Sequence, residues 1–139
     1  MSEKNTVFPA AQLPSVEALS YLGDSVYELF VREHLVREGI SHAGELNRLS
    51  LAFVTAESQA ALLHKIESGF TEWEIDIYRR AHNHKGLKPP KHAGHAQYRA
   101  ATGLEAVIGA LYLTGQGARI DELLHDIKFL LKQDRKDTP

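Results

Sequence analysis

The stretch LSYLGDSVYE, Leu19–Glu28, decides the fold, because it reads as a helix with a glycine and a charge at its centre. Apolar residues recur at helical spacing on both sides of it and predict one long amphipathic helix over residues 15–37. The expected apolar stripe consists of Leu19, Leu22, Val26, Leu29 and Phe30, with Asp24 on the opposite face. A glycine inside a helix costs about 1 kcal/mol relative to alanine. Gly23 therefore indicates that another backbone or a partner subunit approaches the helix at this point.

The composition is that of a single globular domain. The chain has 139 residues, of which 43% are hydrophobic and 24% charged, and it contains no cysteine, so disulfides and thiolate chemistry are excluded. No apolar run approaches the ~20 residues of a membrane span, and no signal peptide is recognisable. We therefore expect a cytoplasmic protein without a membrane segment. Its core should span about residues 14–131, between a loose N-terminus (1–13) and a polar tail (132–139).

The rest of the chain predicts further helices, which gives an all-α fold of about six. These helices are expected over residues 41–50, 55–69, 72–82, 102–113 and 121–132. The third of them begins with a T-x-x-E capping box, Thr71 and Glu74, which favours a helix although Trp73, Ile75 and Ile77 alternate as in a strand. Residues 83–98 contain two glycines and a Pro-Pro pair, and they predict a long loop.

Charge is distributed unevenly along the chain. No acidic residue lies between Asp76 and Glu105, whereas this stretch contains six lysines and arginines and four of the eight histidines. Subtracting these +6 from the total of −2 leaves −8 for the remainder. An acidic body with one basic segment predicts an anionic partner at that segment.

Asp24 and Glu105 are candidate metal ligands. Glu105 lies in TGLEAVIG between Gly103 and Gly109, and small residues permit the close approach of helices that would bring the two carboxylates together. Mg²⁺ typically binds one or two carboxylates together with water and substrate phosphates. Glu17 shares a helix face with Asp24 but lies ~10 Å away along the axis.

Residue spacing alone leaves three alternatives open. Asp24 would be an ordinary solvated side chain if Glu105 lay elsewhere. The histidines at 82, 84, 92 and 95 have H-x-H and H-x-x-H spacings, but a zinc site usually adds cysteine or a more regular pattern. The pair His125–Asp126 matches the motif of HD phosphohydrolases, which need further ligands downstream. The P-loop and nucleophile-elbow motifs are absent from the sequence.

Four segments together resemble the ribonuclease III family. ALSYLGDSVYELFVREHLV resembles the signature helix of its catalytic domain, and ATGLEAVIGALYL resembles its second motif. With FVTAESQAALL and YRRAHNHKGLKPPKHAGHAQYRAATGLEA, the chain is similar over about residues 14–131 to Mini-ribonuclease III, the branch that lacks a double-stranded-RNA-binding domain. The resemblance implies a helical homodimer that cuts double-stranded RNA with Mg²⁺, for which Mn²⁺ is a possible substitute.

The resemblance also implies roles for particular residues. Asp24 and Glu105 match the catalytic, metal-binding carboxylates, and Glu17 matches a further glutamate. The chain departs from larger ribonuclease III enzymes at Ser20 and Thr102, where those have acidic residues, which bears on how many metal ions are held. It also has RAHN at 80–83 where the branch usually has RGRN, so His82 replaces an arginine.

The basic segment is the expected RNA-binding surface, because A-form RNA is recognised largely through its shape, phosphates and 2′-hydroxyls. The residues expected to contact RNA are Arg79, Arg80, Asn83, His84, Lys85, Lys88, Lys91, His92, Tyr98 and Arg99. The implied cellular substrate is a precursor of large-subunit (23S) ribosomal RNA. The alternatives are a non-catalytic RNA-binding or ribosome-associated domain of the same fold, and a metal-dependent nucleotide hydrolase.

Overall fold

The computed structural model describes residues 8–9, 12–89, 91 and 94–127, and every regular element within these ranges is helical. The α-helices are α1 (Val16–Arg37), α2 (Ala43–Val54), α3 (Ala56–Ile66), α4 (Glu72–His82), α5 (His95–Leu113) and α6 (Gly117–Leu123). Two 3-10 turns, Glu67–Gly69 and Leu124–Ile127, follow α3 and α6. The predicted all-α fold is confirmed for this part of the chain.

Helix α5 lies at the centre of the molecule. From Ala101 to Leu111 every residue except Glu105 is buried, and α1, α3 and α4 pack around it. A helix that is apolar on nearly all sides is a core helix. Glu105 is therefore a carboxyl group placed in the middle of the most buried element.

Helices α1 and α5 cross in close contact at two glycines. A Cβ atom on Gly23 would overlap the carbonyl oxygen of Glu105 and lie 2.9 Å from the Gly109 nitrogen. A Cβ atom on Gly109 would overlap the carbonyl oxygen of Leu19 and lie 3.1 Å from the Gly23 nitrogen. Gly23 therefore answers the question that the sequence raises: the backbone that approaches it is that of α5 in the same chain.

The buried face of α1 differs from the predicted stripe. Its buried residues are Leu19, Gly23, Val26, Tyr27, Val31 and Leu35, whereas Leu29 is 59% exposed. The buried face is centred on Gly23, where α1 crosses α5. The pattern of apolar side chains does not predict this, because glycine has no side chain. Asp24 follows Gly23 directly and lies at the border of that face, so the expectation that it lies opposite the core is wrong.

The capping box at the start of α4 is confirmed. The Thr71 N–H donates to Glu74 Oε1 at 2.9 Å, and the Glu74 N–H donates to the Thr71 hydroxyl at 3.1 Å. Glu74 is buried and accepts two hydrogen bonds of 2.8 Å from the Arg119 guanidinium. Burial alone would raise the pKa of Glu74, but the bonds from Arg119 and Thr71 lower it below its ordinary value. The cap therefore also ties α4 to α6.

Several predicted boundaries are wrong. Helix α5 begins at His95 rather than at residue 102, so the loop between α4 and α5 is shorter than expected. Helix α2 continues to Val54, and α6 begins at Gly117 and gives way to a 3-10 turn after Leu123. Glycines and prolines end the preceding segment at the expected place, but the helix-forming HAQYRA sequence lets α5 start immediately after them.

The described part of the N-terminal segment packs against the folded core. Near the N-terminus, the Phe8 N–H donates to the Leu113 carbonyl at 2.9 Å, and Leu13 packs against the hydrophobic core. The expected polar tail at 132–139 lies outside the described residues. Among the residues that are described, none of the helices has the length and apolar character needed to cross a membrane.

Candidate active site

The two carboxylates distant in sequence lie side by side. Asp24 is exposed on α1, Glu105 is half-buried on α5, and their side chains are within hydrogen-bonding distance of each other. The close crossing at Gly23 and Gly109 produces this contact, because it brings the two backbones together within one helical turn of both acids. The structure thus brings the predicted pair together.

The environment of Glu105 disfavours its charge. Burial, and then the hydrogen bond with Asp24 and its negative charge, raise the pKa of Glu105 to about 9, although a hydrogen bond from Gln59 opposes the shift. Tyr27 lies nearby in the core, where burial and the charge of Glu105 raise its pKa; its hydroxyl donates to the Phe53 carbonyl at 2.7 Å. Two acids in one partly buried place are suited to binding a cation.

Gln59 is a further residue of the cleft, and the sequence did not predict it. It lies on α3, is only 2% exposed, and hydrogen-bonds to the Glu105 carboxyl group. Its position is set locally, because the Thr55 hydroxyl caps α3 by accepting from the Ser58 N–H at 3.1 Å. A sequence signal existed: Gln59, Leu62, Leu63 and Ile66 follow the spacing of a buried helical stripe, in which a glutamine is out of place.

An open cleft of about 410 Å³ surrounds the carboxylate pair. Besides Asp24, Glu105 and Gln59, its lining includes Ser20, Tyr98 and Thr102. The Thr102 hydroxyl donates to the Tyr98 carbonyl at 2.9 Å, so it is bound to its own helix. Ser20 and Thr102 therefore both lie in the cleft without supplying a charge.

Glu17 lies at the rim of the same cleft, where its carboxylate contacts the His84 ring. Within the described residues, no group of three or more histidine, aspartate or glutamate side chains is arranged to hold a metal ion. Glu17 is thus not assembled with Asp24 and Glu105 as a third ligand. The same finding leaves the zinc alternative without support for His82, His84 and His95, while His92 lies outside the described residues.

The basic segment contains both exposed and engaged cations. Lys85, Lys88 and Lys91 are exposed. Arg80 is paired with Asp76 at 3.2 Å. Arg99 donates to the His82 carbonyl at 2.8 Å and to the His84 carbonyl at 3.4 Å, which ties the start of α5 to the end of α4 and to the loop.

The remaining residues of the expected RNA surface lie around this loop. Arg79 is exposed, Tyr98 lines the cleft, and the Asn83 side-chain oxygen contacts the His82 ring at 2.9 Å. His92 falls outside the described part of the chain. His125, of the HD alternative, lines a separate pocket that shares no residue with the cleft of Asp24.

Comparison with known proteins decides the family. The model of the ribonuclease III domain matches residues 17–116. A Mini-ribonuclease 3 of Symbiobacterium thermophilum is 48% identical over 106 residues, which are 76% of this chain and 82% of the relative. The chain belongs to the ribonuclease III family, in its Mini-ribonuclease 3 branch. Membership makes it an endoribonuclease, and therefore a hydrolase.

Further comparisons agree with this assignment. A Mini-ribonuclease 3 of Enterococcus faecalis is 38% identical over 110 residues, covering 78% of this chain and 83% of the relative. The crystal structure of protein FN1578 from Fusobacterium nucleatum superposes with a TM-score of 0.77 at 29% identity, covering 86% of this chain and 98% of the other. The two proteins therefore share the fold over most of this chain.

Proposed function

We propose that the chain is a Mg²⁺-dependent endoribonuclease that hydrolyses phosphodiester bonds in double-stranded RNA, leaving 5′-phosphate and 3′-hydroxyl ends. The observation that carries the proposal is the contact between Asp24 and Glu105 in an open cleft next to a basic segment. A duplex RNA offers phosphates to both features at once.

The donor set fits a hard divalent cation. Asp24 and Glu105 would hold Mg²⁺, with Mn²⁺ as a possible substitute, and the ion would supply activated water and charge stabilisation at the leaving 3′-oxygen. The raised pKa of Glu105 supports this assignment, because a nearby cation removes the reason for keeping that carboxyl group neutral. Glu17 lies at the rim of the cleft, where its carboxylate contacts the His84 ring.

The basic segment is proposed to bind the RNA backbone. Lys85, Lys88 and Lys91 are exposed. Each carries a compact ammonium charge, which suits a contact with a phosphate. Arg99 is proposed to shape the loop as well, because its guanidinium donates to the carbonyl at the end of α4 and to one carbonyl of the loop. No base-reading role is needed, since a duplex of A-form is recognised mainly by its shape and backbone.

A homodimer is proposed as the active form. Tyr21, Leu29 and Val36 are 85%, 59% and 61% exposed. At 100° per residue these three side chains fall within about 80° of arc on one outer face of α1. A row of exposed apolar side chains on one helix face is typical of a protein–protein contact. A second copy on that face would place two cleavage sites on one duplex and give a staggered cut of both strands.

The proposed cellular substrate is a precursor of large-subunit (23S) ribosomal RNA, processed in the cytoplasm. It follows from the resemblance to the Mini branch, and the exposed lysines are compatible with any duplex of sufficient length. The test of this part is the processing of a transcribed precursor next to an unrelated duplex of equal length. Equal cleavage of both would contradict a dedicated ribosomal substrate.

The activity itself is tested with purified protein on duplex RNA, single-stranded RNA and duplex DNA, each with Mg²⁺ and with a chelator. We expect cleavage of duplex RNA alone, dependent on the metal. Asp24→Asn should abolish it and leave the helical circular-dichroism signal unchanged, whereas Asp121→Asn, an exposed residue outside the cleft, should remain active. RNA binding without cleavage would favour the non-catalytic alternative, and hydrolysis of mononucleotides would favour a nucleotide hydrolase.

A further inference from the structure

Gln59 has a buried side-chain oxygen that accepts no hydrogen bond from the described part of the chain. The residue is 2% exposed, and its carboxamide hydrogen-bonds to Glu105, yet among the described residues its Oε1 atom accepts no hydrogen bond. A primary amide offers two N–H donors and an oxygen with two lone pairs. Buried polar atoms are almost always paired, so this oxygen calls for a partner that is not a described protein atom.

The position of Gln59 indicates what that partner is. The residue lines the cleft that also contains Asp24 and Glu105, and this cleft is open to solvent. A Mg²⁺ ion held by only two carboxylates keeps several water molecules. Ser20 and Thr102 contribute no charge there, and the Thr102 hydroxyl is bound to its own helix. A water molecule beside the carboxylate pair can therefore donate to Gln59 Oε1.

We propose that Gln59 is a positioning residue of the cleft, a proposal that rests on the function proposed above. Its Nε2 donates to Glu105 and holds that carboxylate beside Asp24. Its Oε1 accepts a hydrogen bond from a water molecule that completes the hydration of the bound cation. Mutation of groups that orient the ligands of a metal and its waters typically lowers metal affinity or activity 10–100-fold.

A purely structural role makes the opposite prediction. If Gln59 only filled space, an apolar side chain of similar shape would serve as well or better, because it removes an unpaired buried oxygen. Gln59→Met provides this shape without a donor or acceptor. Gln116→Met is the matched control, because Gln116 is exposed beyond the end of α5 and does not line the cleft.

The first measurement is the affinity for Mn²⁺ of the full chain without RNA, followed by the electron paramagnetic resonance signal of the free ion. We expect Gln59→Met to weaken binding about tenfold, while its melting temperature in chelator is no lower than that of the wild type. Gln116→Met should bind as the wild type does. If Gln59→Met lowers the melting temperature, the Mn²⁺ titration of Gln59→Leu is used instead to test the role of Gln59.

The second measurement is cleavage of duplex RNA. In Gln59→Met the Mg²⁺ concentration for half-maximal rate should rise about tenfold, and kcat should fall at saturating Mg²⁺. The KM for RNA should stay within about twofold of the wild type, because a residue this buried does not reach the RNA backbone. A merely structural change would not separate kcat from KM in this way.

The outcomes distinguish this proposal from the proposed function. Unchanged Mn²⁺ affinity and Mg²⁺ requirement in both Gln59 variants would overturn the role of Gln59 while the endoribonuclease stands. If Gln59→Met binds Mn²⁺ more weakly but the wild type does not cleave duplex RNA, the role of Gln59 would be supported and the proposed substrate overturned. A wild type that binds no Mn²⁺ would overturn both the role of Gln59 and the metal site.

Discussion

At the scale of single residues, the contact between Asp24 and Glu105 costs stability in the absence of a cation. Glu105 is half-buried next to a second acid, and its pKa is raised to about 9. The folded protein thus holds a proton at Glu105 over a pH range in which the unfolded chain has released it. Stability therefore falls as the pH rises from about 4.5 to about 9, because the folded state binds more protons there.

Glu105→Gln is expected to stabilise the metal-free protein. The glutamine carries no charge into the partly buried position, so the free energy of unfolding in chelator should rise by about 2–5 kcal/mol at pH 8. At pH 4 the gain should nearly vanish, since Glu105 is protonated in both states. Urea denaturation at the two pH values measures the difference.

The control for this prediction is Glu28→Gln, which removes a charge from the exposed pair with Arg32 at 2.9 Å. Its effect should be about 0.5 kcal/mol or less at either pH. A loss of stability in Glu105→Gln at pH 8 would show that the acid pair is not strained in the folded protein.

At the scale of elements, the crossing of α1 and α5 sets the geometry of the site. Gly23 and Gly109 allow the two backbones to touch, and both carboxylates lie within one turn of the contact. Elsewhere on α5, a Cβ atom on Gly103 would lie 2.5 Å from the Tyr78 ring, so α4 is also packed closely against it. Interiors this dense transmit small displacements to the site.

Gly23→Ala is expected to separate the two helices. The new methyl group would overlap the Glu105 carbonyl oxygen, which is backbone and does not yield. Overpacking of this kind typically costs about 1–3 kcal/mol, so the midpoint of urea denaturation should fall accordingly. The pair of acids should also move apart, and cleavage should decrease even under conditions in which the variant is folded.

Gly44→Ala is the matched comparison on a helix without a close neighbour. Among the described residues, no heavy atom beyond its chain neighbours and the backbone of its own helix lies within 4 Å of the position that its Cβ would take, and α2 is helical there. Alanine is the better helix former by about 1 kcal/mol, so this variant should be as stable as the wild type or more so. Equal destabilisation by both substitutions would contradict the role of the crossing.

At the scale of the whole molecule, positive charge is concentrated in the segment that is proposed to bind RNA. The segment between Asp76 and Glu105 carries six lysines and arginines, and the remainder is acidic. Replacing Lys85, Lys88 and Lys91 together by alanine should weaken binding to duplex RNA. It should also reduce the slope of log K against log salt by about 2–3, because each phosphate contact releases nearly one counterion. Salt titrations of RNA binding by fluorescence anisotropy measure this slope, and an unchanged slope would make the loop a connector only.

The outer face of α1 is expected to hold the dimer. Leu29→Arg places a charge in the exposed apolar row, and sedimentation equilibrium should shift from dimer toward monomer. Leu29 does not line the cleft, so loss of activity would follow from loss of the partner subunit. Tyr112→Arg, at a 53% exposed apolar residue near the end of α5, is the control and should remain dimeric. A dimer that persists in Leu29→Arg would place the interface elsewhere.

Local signals in the sequence predicted that the helices exist and where two of them, the helices that begin after Thr55 and Thr71, start. The capping box of Thr71 and Glu74 and the cap at Thr55 are both present in the structure, because a cap depends on residues only three positions apart. The start of α5 was predicted too late, since glycines and prolines mark where a segment ends and not how soon the next helix begins. The carboxylate pair was predicted from two motifs and their glycines, and the structure brings its members together.

The sequence by itself determined the helical elements, the basic segment and the two acids with their neighbouring glycines. Only the tertiary structure decided which face of α1 is buried, that Glu105 is a strongly perturbed acid, and that Gln59 reaches it from α3. Helical periodicity and caps act between residues a few positions apart, so they can be read along the chain. Burial, pKa and the pairing of a buried amide depend on residues far apart in sequence, which meet only when α1, α3 and α5 have packed together.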